Sequence, residues 1–74
     1  MDNSTLRKIQ SKSSGRIFFD VISSDETHTI YNSETMTKIT KFRIGEWHNG
    51  ISDLYEVKPM SQSESDKVWN SLSL

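Results

Sequence analysis

The chain contains no cysteine. That excludes a disulfide framework, a thiolate nucleophile and a thiolate-ligated zinc site, and it makes the reducing cytoplasm the expected compartment. Glycine and proline are also scarce, at three and one residues. No Gly-rich phosphate loop, no Gly-x-Ser-x-Gly elbow and no Ser-x-x-Lys pair surrounds any of the many serines. The longest apolar run, Ile17-Phe18-Phe19, is far shorter than a membrane span, and Met1-Asp2-Asn3-Ser4 lacks the basic start and apolar stretch of a signal peptide. No membrane partner is expected. With only His28 and His48 and no ligand cluster around either, no metal or other cofactor is expected.

What is present suits one small domain. A chain of 74 residues buries only about 60% of the surface its unfolded form exposes. Its large apolar side chains crowd into positions 17 to 72, with Leu6 and Ile9 alone before them. Residues 1–15, rich in Ser, Lys and Asn, read as a flexible basic arm, with a short helix capped by Ser4 as its only candidate order. Residues 16–74 read as a single α+β domain: a small antiparallel sheet of about four strands with a C-terminal helix packed on one face.

The strand signals are β-branched and aromatic runs separated by polar turns. Ile17-Phe18-Phe19 with Val21-Ile22 is followed by Ser23-Ser24-Asp25-Glu26 and then by Thr27-His28-Thr29-Ile30-Tyr31, the pattern of a hairpin. Residues 35–44 carry both helical and alternating spacings, and their threonines and β-branched residues favour a strand. Residues 45–50, ending in Asn49-Gly50, read as a hairpin turn, and residues 51–58 as the last strand, with Ile51, Tyr55 and Val57 on one face. After Pro59, Ser61 and Glu64 have capping-box spacing ahead of a helix whose stripe is Val68, Trp69 and Leu72.

Charge is distributed in blocks although the total is -1. Residues 1–16 carry Arg7, Lys8, Lys12 and Arg16 against Asp2. Residues 17–37 carry Asp20, Asp25, Glu26 and Glu34 with no base. Residues 38–43 return three positive charges through Lys38, Lys41 and Arg43, and the remainder is acidic. Among the acids, Asp20 stands inside an apolar strand, where alternation sets it opposite Phe19 and Val21 and predicts an outward, solvated carboxylate. His28 and His48 read as solvated or hydrogen-bonded side chains. Nothing in these groups assembles a catalytic mechanism, and a non-enzymatic chain is expected.

Three constellations suggest binding instead. Lys38, Lys41 and Arg43 surround Phe42, a mixture of cations and an aromatic that can hold phosphates and stack bases, or can equally be a half-buried strand. Trp47 and His48 lie in the 45–50 turn, where an aromatic marks an interface anchor unless it folds back over the sheet. The acidic stretch from Asp20 to Glu34 is either a solvated hairpin or a surface for a basic partner. The candidate partner-binding residues are therefore Lys38, Lys41, Phe42, Arg43, Trp47 and His48.

Size, cysteine-free composition and absence of motif make the chain similar to the small accessory proteins with which phages and mobile elements bind and inhibit a host protein. That resemblance implies a protein-protein interaction module whose partner is a host or cellular protein. The alternative is a nucleic-acid binder clamping with Lys38, Lys41, Arg43 and the N-terminal Arg7, Lys8 and Lys12 around Phe42 or Trp47, with affinity falling steeply in salt. A homodimer suits either class, because a thin core with exposed strand edges is often completed by a symmetric neighbour.

Overall fold

A computed structural model describes residues 4–72. Five strands, β1 (Thr5–Ser11), β2 (Ile17–Ile22), β3 (His28–Asn32), β4 (Lys38–Phe42) and β5 (Tyr55–Lys58), form one antiparallel sheet in the order β4-β3-β2-β1-β5. Between β4 and β5 lie a short helix α1 (Ile44–His48) and a 3-10 turn (Ile51–Leu54), and the chain continues into helix α2 (Gln62–Leu72). The α+β class and the C-terminal helix are as the sequence predicts. None of the helices in residues 4–72 is long and apolar enough to cross a membrane.

The β2–β3 hairpin forms where expected, pairing Ile22 with His28 and Phe18 with Asn32. Its turn is closed by the Ser23 N–H donating to the Thr27 carbonyl at 2.9 Å, with Glu26 in the left-handed region at φ 65°. Asp25 accepts the Thr27 N–H at 3.1 Å. Hydrogen bonds from the Thr27 side chain first, and its backbone second, hold the Asp25 carboxyl below the ordinary carboxylate range. A carboxyl stabilised in its charged form supports the folded turn above its unfolded titration range, and that support fades as pH falls through the folded one. In an NMR titration, Asp25 is expected to titrate below the ordinary aspartate range, and Thr27→Val should bring it back towards that range.

The sheet is covered on both faces because the strands alternate and each face has its own lid. On one side Phe19 and Val21 pack with Val68 and Leu72 of α2, joined by Leu6, Tyr31, Met36, Met60 and Trp69. Burying each of the two helical anchors contributes about 1.5–3 kcal/mol, which an eleven-residue helix needs to persist. Ser61 caps that helix, its Oγ accepting the Glu64 N–H at 3.1 Å. The Glu64 carboxylate takes Lys8 Nζ at 3.1 Å and so ties the first turn of α2 to β1. On the other side Ile9 and Ile30 lie beneath Trp47, with Phe18, Phe42, Ile51 and Tyr55 around them.

Three expectations are corrected. Of the predicted arm, residues 1–3 lie outside the described residues, but residues 5–11 are β1, hydrogen-bonded between β2 and β5. The ladder supplies what composition does not: Ile9 is fully buried, and the neighbouring charges find partners on distant elements. The sheet consequently has five strands where about four are expected, the added one being β1. Residues 45–50 form no hairpin turn. The chain must pass from the β4 edge to the β5 edge across three intervening strands, roughly 4.8 Å apart, and α1 with the 3-10 turn makes that crossing over one face of the sheet. Only the last four residues of the predicted 51–58 strand are extended.

Candidate functional site

The crossing covers a buried polar cluster. Register sets Arg7 of β1 opposite Asp20 of β2 and His28 of β3 opposite Ile22, on the face that Trp47 caps. Arg7 Nη2 donates to Asp20 Oδ2 at 2.9 Å. His28 Nδ1 lies 3.0 and 3.2 Å from the two Asp20 oxygens. A carboxylate only accepts, so the hydrogen sits on Nδ1. Asp20 is 0% exposed and His28 2%. The predicted outward carboxylate is therefore wrong, whereas the hydrogen-bonded reading of His28 is correct.

Trp47 roofs this cluster. The His28 ring stacks on it at 4.4 Å and 8°, Tyr55 stacks at 5.9 Å and 9°, Phe42 leans in at 6.4 Å, and the Arg7 guanidinium carbon lies 5.8 Å from the ring centre. At 5% exposure Trp47 is no exposed anchor, so its interface reading is corrected: it folds back over the sheet. The residue lands there because Glu46 turns α1 sharply off β4, its carboxylate accepting the Arg43 N–H at 3.0 Å.

An aspartate on a histidine Nδ1 is half of a nucleophile-activating relay. The other half needs Nε2 aimed at a hydroxyl or thiol that a substrate can reach. Here Nε2 is buried without a hydrogen-bond partner among the described residues, as is Arg7 Nε. Asp20 and His28, buried beneath the indole, and the half-buried Arg7 beside them join β1, β2 and β3 through their side chains. Among the described residues no group of three His, Asp or Glu side chains is placed to hold a metal ion.

The remaining predicted residues stay on the surface. Lys38 and Lys41 are exposed on β4, Arg43 is exposed at the start of α1, and His48 is exposed at its end, while Phe42 is half-buried beside Trp47. Lys41 and Arg43 share an open hollow of about 400 Å³ with Asp25, Thr27 and Glu46. Among the described residues none of Lys38, Lys41 and Arg43 forms an ion pair. The other proposed clamp residues are elsewhere: Arg7 holds Asp20, Lys8 holds Glu64, and β1 is separated from β4 by two strands. Sequence reasoning misses the site's buried half. The available signal is that Phe18 and Ile22 share a face with Asp20, so the acid stands in an apolar row.

No protein-family model, no curated protein and no solved structure matches this chain.

Proposed function

We propose that the chain is a non-catalytic protein-protein interaction module that works by covering a site on a host or cellular protein, as a small cytoplasmic inhibitor does. The observation that carries this reading is the β4 edge. There Ile39, 51% exposed, sits among three cations that have no ion-pair partner among the described residues, on a strand whose outer backbone edge none of those residues pairs. A register shift opposite Ile30 and Tyr31 makes Ile39 a bulge and pushes it outward. Phe42 and Trp47 stiffen this edge from behind, so little ordering is left for binding to supply.

The chemistry selects a partner with an acidic rim around a small apolar recess, met by strand addition or by the side chains alone. A nucleic-acid clamp draws less support, because Trp47 is buried, Phe42 is half-buried, and the N-terminal bases Arg7 and Lys8 are engaged in ion pairs. The test is capture from a native-host lysate, with and without nuclease, using the wild-type chain and the variant Lys38→Glu/Lys41→Glu/Arg43→Glu. One protein held by the wild type in both arms and lost by the variant, with an unfolding midpoint little changed, is the expected result. Capture that vanishes on nuclease treatment would overturn it in favour of nucleic acid. Capture that survives the triple substitution would remove the β4 edge as the site.

A further inference from the structure

The other edge of the sheet has different chemistry. Among the described residues, two of the three exposed large hydrophobic side chains, Leu54 at 57% and Val57 at 54%, lie on or beside β5. Among the described residues the outer side of β5 pairs with no strand. Its four residues Tyr55, Glu56, Val57 and Lys58 alternate apolar, acidic, apolar, basic. Glu56 and Lys58 project to one face, where their side chains pair at 3.4 Å, and Tyr55 and Val57 project to the other.

We propose that this edge pairs with the same edge of a second copy of the chain, about a two-fold axis at Val57. Antiparallel pairing centred on a residue places each neighbour opposite its mirror position. Val57 then meets Val57 of the partner, Glu56 meets Lys58, Lys58 meets Glu56, and Tyr55 meets Pro59. Leu54 comes against the segment of the other copy containing Met60. Every position finds a matching one: apolar residues meet apolar residues, and each charge meets its opposite. The two five-stranded sheets become one continuous sheet, and the exposed Val57 and Leu54 gain a cover.

The β4 edge cannot repeat this arrangement. Its charges are Lys38 and Lys41 with no acid on the strand, so no register of a self-paired β4 sets opposite charges against each other, and its ladder is already broken by the bulge at Ile39. One edge is thus built against self-pairing and the other for it, which leaves the β4 surface free when β5 is occupied.

Sedimentation equilibrium over a range of concentrations tests this directly, with about twice the 8.5 kDa chain mass as the expected limit. Glu56→Lys makes both charge positions basic and Lys58→Glu makes both acidic. Each should weaken the dimer roughly tenfold to a hundredfold, since two attractive cross-strand pairs become repulsive. The decisive step mixes these two variants, because the two basic positions of the Glu56→Lys chain then face the two acidic positions of the Lys58→Glu chain. The mixture should form a heterodimer, an outcome that loss of the internal Glu56–Lys58 pair does not produce. Unfolding midpoints of the separate variants establish that both are folded. A wild-type chain that stays at 8.5 kDa throughout would overturn the proposal. So would a dimer indifferent to either substitution, or a variant mixture that stays monomeric.

Discussion

Asp20→Ala is expected to lower stability by about 3–5 kcal/mol, the usual result of removing one member of a buried ion pair and stranding the others. A domain of this size holds only about 5–10 kcal/mol in total, so the variant should populate unfolded chain at room temperature. The reason lies in what remains. Arg7 keeps its charge half-buried under Trp47, and His28, 2% exposed, loses the carboxylate that accepts its Nδ1 hydrogen. Asp20→Asn retains the shape and an acceptor oxygen but not the charge, and should cost about 1.5–3 kcal/mol. Urea unfolding ranks the two. A third variant separates polarity from packing: Arg7→Met/Asp20→Leu/His28→Phe replaces the whole cluster by apolar groups and is expected to recover most of the loss. If that variant is as unstable as Asp20→Ala, the cluster contributes something that apolar packing cannot replace.

Trp47→Ala should be comparably severe, at about 3–5 kcal/mol by the range for removing a large core aromatic. The loss is larger in kind than a simple cavity. The indole is the lid over Ile9 and Ile30 and also the stacking partner of His28 and Tyr55, so its removal admits water to the Asp20 carboxylate. Trp47→Phe keeps a ring and should lose well under half as much. Thermal unfolding followed by circular dichroism measures both. Trp47→Phe should also retain capture through the β4 edge, since Trp47 lies beneath that surface and supports it without contributing exposed area.

These two residues show where sequence is legible and where it is not. The hairpin of β2 and β3, the choice of strand over helix for residues 35–44, of which 38–42 are extended, and the Ser61 cap all rest on local chemistry that the structure follows. Asp20 escapes such reasoning because alternation tells which residues share a face but not whether that face is wet. Both faces are covered here, one by α2 and one by the crossing, and the crossing has the sequence of a turn. The strand β1 is obscured for a related reason. Its Arg7 and Lys8 look like solvent-facing charges until Asp20 and Glu64 arrive from elsewhere in the chain. Burial of Trp47 follows from neither composition nor period, but from the need to carry the chain between the two edges of the sheet.

The position of β5 beside β1 also constrains the order of assembly. The ladder joining Ile9 to Val57 closes the longest loop in the sheet, while β1 to β4 form a simple meander of neighbouring hairpins. Until residues 55–58 dock, β1 is the unprotected margin of that meander. Arg7 and Lys8 stand on that margin, and charges along a sheet edge discourage edge-to-edge association. The polarity that makes β1 look like a tail is the polarity that suits an edge strand, and an edge is what β1 is until β5 docks on it.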